Sequence, residues 1–372
     1  MAARRRPTVH DVAKLAGVSI ATVSFSFRRP DQVRPETRQT VLAAAKEIGY
    51  IPSASARGLV RGKTGALGLH SYEFLLERPL HEVATSGASP ARPLDLDRSV
   101  IPWSDIADGQ RADIRAYPLY VDEVQRGFEL EARRHGRPVL VGRGDPSSGA
   151  LTETAGRVDG LAIFPGLSAA ASLQEVTLNM PVVLFSLPST DDQYHHVLVD
   201  NQGGMGDLVT HLVREHGVQD LEFVGGTMAH DYLERFLGFQ HTLRQLGVRA
   251  PQKICDDADL GRGPAFTGVL QRLRSGSLPQ ALVCASDQLA VELLDLLRRE
   301  GVSVPGDVIV TGFDGILAGL LSHPPLTTVR QPMEAMGRVA AQLLMLEAED
   351  DVVTGRTVQL GTSLETRASC GC

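Results

Sequence analysis

Thr8-Val9-His10-Asp11-Val12-Ala13-Lys14-Leu15-Ala16-Gly17-Val18-Ser19-Ile20-Ala21-Thr22-Val23-Ser24-Phe25-Ser26-Phe27 is the stretch that decides the fold of the N-terminal region. Thr8 is placed to cap a helix with Asp11 at its third position, and Val9, Val12, Ala13 and Ala16 fall at i, i+3, i+4 and i+7 on one apolar stripe. Gly17 ends that helix, because glycine enters the left-handed conformation without a Cβ penalty. Ser19 then stands where a second cap belongs, opening a helix from Ile20 to about Phe27 that Pro30 closes. Two helices joined by so short a turn cross steeply. This is the helix-turn-helix arrangement, whose second helix enters the DNA major groove; an ordinary helical hairpin is the alternative.

Charge separates those two readings. Residues 1–63 hold twelve Lys and Arg against four Asp and Glu, a net of +8, while the rest of the chain holds 25 against 40, a net of -15. A polyanion-binding surface needs such a basic patch, since neutralising phosphates and releasing their counterions supplies the sequence-independent part of DNA affinity. A third helix follows, with Pro35 at a first helical position, Val41, Leu42, Ala45 and Ile48 on its buried side and Gly49 at its end. The next segment, Pro52-Ser53-Ala54-Ser55-Ala56-Arg57-Gly58-Leu59, is too short to be a stable helix alone and folds only when something holds it.

Arg6-Pro7-Thr8-Val9, Asp11-Val12-Ala13, Ala16-Gly17-Val18-Ser19, Thr22-Val23-Ser24, Thr37-Arg38, Gly49-Tyr50-Ile51-Pro52 and Ala56-Arg57-Gly58-Leu59 together resemble the headpiece and hinge of the lactose/galactose-repressor (LacI-type) family of bacterial transcription regulators. The resemblance implies that Ile20, Ala21 and Phe25 project toward base edges, and that Thr8, Ser19, Thr22 and Ser24 meet phosphates. Arg28 and Ala56 join this DNA-contacting set, and Leu59 is the hinge wedge that enters the minor groove and kinks the duplex. Two headpieces are then needed, so the expected partner is a near-palindromic double-stranded operator bound by a homodimer. The chain departs from the family where Phe25 replaces a frequent Arg and Phe27-Arg28-Arg29 replaces Leu-Asn. Phe25 is left with two roles, contact with a thymine methyl or membership of the headpiece core.

At 372 residues with 43% hydrophobic content the chain has material for two or three domains. Arg4-Arg5-Arg6 is not followed by an apolar run, so neither a signal peptide nor a membrane span is expected, and the cytoplasm is the expected compartment. Cys255, Cys284, Cys370 and Cys372 are few and scattered, unlike a disulfide framework. Cys370-Gly371-Cys372 offers two thiols for a metal or redox clip but has no further ligands at matching spacing, so no metal site and no cofactor are expected.

Beyond residue 64, short apolar runs at Ala66–Leu69, Val139–Val141, Leu161–Phe164, Val182–Phe185, Leu221–Val224, Leu282–Ala285 and Val308–Thr311 predict buried strands. Helix-period segments at Val121–Arg134, Gly206–Glu215, Tyr232–Leu246, Phe266–Arg274 and Leu289–Arg299 lie between them. The alternation predicts two parallel sheets covered by helices on both faces. The expected fold class is therefore an N-terminal all-α helix-turn-helix headpiece with hinge helix over 1–62, then an α/β core of two parallel-sheet lobes over 63–372. Some fifty residues near 71–117 with several prolines and the only Trp read as an irregular insertion, with a lid over the cleft or a partner surface as alternatives.

The family resemblance continues through Asp159-Gly160, Val199-Asp200-Asn201, Phe223-Val224-Gly225-Gly226, Arg235-Phe236-Leu237-Gly238-Phe239, Ser286-Asp287, Val304-Pro305-Gly306-Asp307-Val308, Thr311-Gly312-Phe313-Asp314 and Pro325-Leu326-Thr327-Thr328-Val329-Arg330-Gln331-Pro332. It implies a regulatory core resembling periplasmic sugar-binding proteins, with a small-molecule effector, a sugar or related metabolite, held between the lobes. Arg235 and Asp287 are the implied ligand residues, a structural ion pair between them being the alternative; Asp231, Tyr232 and Asp314 are secondary candidates. Ser286 stands in place of a usual Asn and Gly315 in place of a frequent second Asp.

Enzyme signatures fail. Gly203-Gly204-Met205-Gly206 lacks the full dinucleotide fingerprint and the P-loop Lys, and there is no Gly-x-Ser-x-Gly, no His-Glu-x-x-His and no paired Cys-x-x-Cys. The expectation is a DNA-binding transcription regulator with repression as its output, not an enzyme. A cytoplasmic solute-binding protein of the same core fold is the alternative, and it leaves the basic headpiece unexplained.

Overall fold

A computed structural model describes residues 7–28, 32–48, 50, 64–72, 97, 99–100, 119–144, 149–164, 180–188, 194–226, 229–257, 266–346 and 355–372. The chain divides into two compact units, Met1–Gly65 and Ala66–Cys372. The hinge segment at 52–59, including Ala56 and Leu59, and nearly all of the 71–117 insertion lie outside the described residues.

The first unit contains α1 (Val9–Ala16), α2 (Ile20–Arg28) and α3 (Pro35–Glu47). Asp11 accepts the Thr8 amide at 2.8 Å and its hydroxyl at 2.7 Å, which fixes the first turn of α1. Gly17 ends α1 at φ +66, and Ser19 Oγ accepts the Thr22 amide at 3.1 Å to open α2. The three helices close on Val12, Ala13, Val23, Val41, Ala44 and Ala45.

The second unit holds two six-stranded sheets. Strands β1 (Leu67–Tyr72), β2 (Val139–Gly144), β3 (Leu161–Phe164), β4 (Val182–Phe185), β5 (His195–Val199) and β11 (Thr357–Leu360) form the first lobe in the order β11-β5-β4-β3-β1-β2, every pair parallel. Strands β6 (Leu221–Gly225), β7 (Asp256–Asp257), β8 (Ala281–Cys284), β9 (Ile309–Asp314), β10 (Thr327–Arg330) and β12 (Ser363–Glu365) form the second in the order β12-β10-β9-β8-β6-β7. Here β12 runs antiparallel to β10, so this lobe departs from the expected all-parallel arrangement at one edge. β1 also continues to Tyr72, two residues into the stretch read as insertion.

Helices α4 (Leu119–Arg134), α5 (Ala150–Ala155), α6 (Asn201–Glu215), α7 (His230–Gln245), α8 (Thr267–Arg274), α9 (Asp287–Arg299), α10 (Leu317–Leu321) and α11 (Met333–Met345) cover these sheets. α6 begins at Asn201, not at Gly206, because Asp200 caps it by accepting the Gly203 amide at 2.9 Å; the glycine-rich run is helix interior. The chain crosses between lobes three times, around Asp200, around Gln331-Pro332 and around Gly361-Thr362. α4 and α11 pack against each other at glycines. A Cβ on Gly337 would lie 1.9 Å from Val124 O, and one on Gly127 would lie 1.9 Å from Glu334 O, so the two backbones touch. Among the described residues, no helix is long and apolar enough to cross a membrane.

Candidate DNA-reading surface and effector cleft

On α2 the apolar period and the turn geometry leave one side of the helix uncovered. Ile20 and Phe25 are each 43% exposed, and Ala21 is exposed beside them. The headpiece core takes Phe27 instead, whose ring lies 6.1 Å from that of Tyr50. Of the two roles open to Phe25, core membership is thus filled by its neighbour two positions on. Ser19 and Thr22 sit at the N-terminus of α2 with their hydroxyls 2.9 Å apart, and Ser24 is half-buried. Thr8 is tied to Asp11 at the start of α1. Helix N-termini of this kind present amides and hydroxyls suited to phosphate oxygens. Arg28 closes α2, and Ala56 and Leu59 are outside the described residues.

In the core, the C-terminal ends of the strands of both lobes converge where ligands bind in open α/β sheets. The second lobe supplies a buried polar network. Arg235, on α7, is 2% exposed and donates from Nε to Asn201 Oδ1 at 2.8 Å, and from Nη1 to Ala285 O at 2.7 Å and Asp314 Oδ1 at 3.2 Å. Its guanidinium lies 3.9 Å from the centroid of the Phe313 ring and 5.7 Å from that of Tyr232. Asn201 donates to Asp231 Oδ1 at 2.9 Å, and Gln331 donates to Asp314 Oδ1 at 2.6 Å. Asn201 and Gln331 stand at two of the three crossovers, so the network reaches from the cleft into the segments about which the lobes would move.

The first lobe brings Tyr120 to this network, with Phe164 and Phe185 buried in the lobe core behind it. Phe164 and Phe185 stack at 4.3 Å, and Tyr120 meets Phe164 edge-on at 6.1 Å. Burial pushes the Tyr120 phenol well above its ordinary range, and the nearby carboxylates of Asp231 and Asp314 push it further, so the hydroxyl stays protonated beside them. Glu123 on α4 pairs with Arg330 at the end of β10, an ion pair that joins the two lobes. Sequence reasoning did not find Tyr120, since nothing local marks it until the topology sets it beside Asp231 and Asp314.

Asp287 is placed differently from the expectation. It is fully buried at the start of α9, accepting the Gly315 and Ile316 amides at 2.8 Å each and the Thr328 hydroxyl. Both carboxylate oxygens are used inside the second lobe, so it is a brace for the 314–316 turn and not an open acceptor. Arg235 pairs with Asp314, so the alternative of a structural ion pair between Arg235 and Asp287 is not the one formed. Gly312 permits this packing, as a Cβ there would fall 2.2 Å from Asp287 Oδ1. Gly315 is required as well. It has φ +77, and a Cβ would meet Arg330 Cδ at 2.4 Å, which accounts for the missing second Asp. Ser286 takes over the capping role at α9, accepting the Leu289 amide at 3.3 Å. Burial raises the pKa of Asp314 to about 7 against the opposing pull of Arg235, and raises that of Asp287 to about 6 against its hydrogen bonds.

Comparison with known proteins follows the same division. Residues 8–53 match the profile of bacterial regulatory proteins of the lacI family, and residues 209–370 match that of a periplasmic binding protein-like domain. Catabolite control protein A of Priestia megaterium is 26% identical over 370 residues, covering 97% of this chain and 98% of that protein. The HTH-type transcriptional regulator CelR of Thermobifida fusca is 29% identical over 363 residues, covering 96% and 95%. The crystal structure of the lac repressor dimer bound to operator and the anti-inducer ONPF superposes with a TM-score of 0.72 at 22% identity, covering 98% of this chain and 99% of that one. Headpiece, core and near-full-length relatives agree: the chain carries a lacI-family regulatory domain at residues 8–53 followed by a periplasmic binding protein-like domain at residues 209–370.

Proposed function

We propose that this protein is a cytoplasmic transcription regulator that represses by binding a near-palindromic operator as a homodimer, and that a small polyhydroxylated metabolite in the core cleft sets its operator affinity. The observation that carries the reading is the outward side of α2, where Ile20, Ala21 and Phe25 stand uncovered on a basic, helix-capped headpiece. Phe25 and Ile20 supply apolar contacts to thymine methyl groups, and Ser19, Thr22 and Thr8 position the headpiece on phosphates. Arg28, Ala56 and Leu59 complete the DNA contacts, with Leu59 as the minor-groove wedge.

The dimer is supported by an apolar patch. Leu317 and Leu321 are 65% and 68% exposed, and Leu320 adjoins them on α10. The effector reading rests on the pairing of Tyr120 and Tyr232 with buried carboxylate and guanidinium groups, which suits a ring bearing hydroxyls. Tyr232 and Asp231 are the second-lobe contacts, Arg235 and Asp314 hold them in place, and Asp287 braces the turn that carries Asp314. A ligand bridging the lobes would favour one lobe arrangement. It alters operator affinity only through its differential affinity for the two states, so inducer and co-repressor outputs both follow from one architecture.

The test is selection of bound duplexes from a random pool by the full-length protein at two salt concentrations, repeated with Phe25→Ala. A palindromic motif is expected, with the variant losing specific binding roughly tenfold, about 1–3 kcal/mol per base contact, while its non-specific binding is unchanged. Motif-free, purely salt-dependent binding by the unaltered protein would overturn the reading.

A further inference from the structure

The two C-terminal thiols, which lack partners in the sequence, acquire them in the fold. His211 lies in the last turns of α6 and His216 is its C-cap, where the helix stops before Gly217 at φ +66. Cys370-Gly371-Cys372 returns to this helix end through a short 3-10 turn, Ala368–Cys370. Gly371 takes φ +97, a conformation that allows the chain to fold back so that both sulfurs face the same point.

The four ligand atoms lie within 4.8 Å of one another. Cys370 Sγ and Cys372 Sγ are 3.4 Å apart, and the two His Nε2 atoms are 3.1 Å apart. Cys372 Sγ is 3.5 Å from His211 Nε2 and 3.4 Å from His216 Nε2, and Cys370 Sγ is 3.7 Å from His211 Nε2. Zinc–sulfur bonds of about 2.3 Å and zinc–nitrogen bonds of about 2.0–2.1 Å at tetrahedral angles require ligand–ligand edges of about 3.3–3.8 Å. Five of the six edges are close to that tetrahedron, the N–N edge at 3.1 Å and the S–S edge at 3.4 Å being short, and the sixth, from Cys370 Sγ to His216, lies within 4.8 Å.

We propose that His211, His216, Cys370 and Cys372 form a Cys2His2 site for one zinc ion. Each thiol gives up its proton to bind as thiolate, and each neutral imidazole binds through Nε2. Four protein ligands close the coordination sphere, so the ion is a structural clip and not a catalytic centre. The Thr327 hydroxyl, 2.8 Å from Arg367 O and 3.1 Å from Cys370 Sγ, can turn its proton to that thiolate. Cys370 is buried and Cys372 is exposed, which leaves the ion a path in from solvent. The clip ties the tail that follows the Gly361-Thr362 crossover to the C-terminal end of α6, the helix that begins at the Asp200 crossover.

The test uses the full-length protein, reduced and stripped with a chelator, then titrated with cobalt(II) and back-titrated with zinc. The expected result is intense visible d–d absorption with a thiolate-to-cobalt charge-transfer band, saturating at one cobalt per chain and abolished by zinc. Zinc should raise the Tm of the stripped protein. Cys372→Ser, at an exposed terminal position, and His211→Gln should each weaken binding at least tenfold, and Cys370→Ser with Cys372→Ser should remove the charge-transfer band. A pale octahedral cobalt spectrum would overturn the proposal, as would an unchanged spectrum in the double serine variant. So would loss of two titratable thiols to a Cys370–Cys372 disulfide in protein purified under zinc-replete conditions.

Discussion

Arg235→Met keeps an unbranched apolar stem and removes the guanidinium and its charge from the cleft network. Arg235 and Asp314 side chains are 3% and 8% exposed, so the variant leaves a carboxylate almost fully removed from water with Gln331 as its remaining side-chain donor. Breaking a buried pair on one side costs about 3–5 kcal/mol, and the loss of donors to Asn201 and Ala285 O falls within that range. The cost should depend on pH. Burial already raises the Asp314 pKa to about 7 with Arg235 in place, so without the guanidinium the folded-state value rises further. A folded-state pKa above the unfolded value means that the folded state binds the extra proton. The variant's stability is then present at low pH and lost as pH rises through the folded pKa. The penalty should therefore approach 3–5 kcal/mol near pH 8 and shrink toward pH 6 as Asp314 takes up its proton. Adding Asp314→Asn should recover at least about 1.5 kcal/mol near pH 8, because the stranded charge is gone. Denaturant unfolding of the full-length protein, Arg235→Met, Asp314→Asn and the double variant at both pH values measures the cycle. Additive costs with no pH dependence would refute the claim that this ion pair holds the cleft.

Two further outcomes follow from packing and burial. Gly337→Ala should lower stability by about 3 kcal/mol despite the better helix propensity of Ala, because the new methyl group would sit 1.9 Å from Val124 O and 2.5 Å from Phe128 N; an unchanged urea midpoint would show that α4 and α11 can separate freely. His70 is buried, and that burial lowers its pKa to about 4, so the unfolded chain binds the extra proton between about pH 6.5 and 4. Stability should fall across that window by up to about 3 kcal/mol, and His70→Asn should flatten the acid limb of a Tm-versus-pH profile; an identical limb in the variant would reject the assignment.

The headpiece was legible in the sequence because its signals are local. Thr8 with Asp11, Gly17, Ser19 and Pro35 each act within one helical turn, and each occupies the capping, terminating or first-turn position its chemistry requires. The alternation of apolar strands with amphipathic helices likewise fixed the two-lobed α/β core, since each buried strand carries its own run of hydrophobic residues. Strands β5, β7, β10, β11 and β12 and helices α5, α10 and α11 were not foreseen: most are short, β10 and α11 flank Pro332, and β11 and β12 pair with strands distant in the chain.

What only the tertiary structure decided is which polar groups meet. The sequence placed Arg235, Asp287 and Asp314 near the ends of strands and helices but could not distinguish an open acceptor from a buried brace. Asp287 became the brace because the 315–316 amides and Thr328 converge on it once β9 and β10 pair. The four-heteroatom cluster was hidden for the same reason: His211 and His216 lie more than 150 residues from Cys370 and Cys372, and only the return of the C-terminal tail to α6 brings them together. Local hydrogen bonding and hydrophobic period are written along the chain, whereas the environment of a charge or a ligand atom depends on chain crossings that no local pattern specifies.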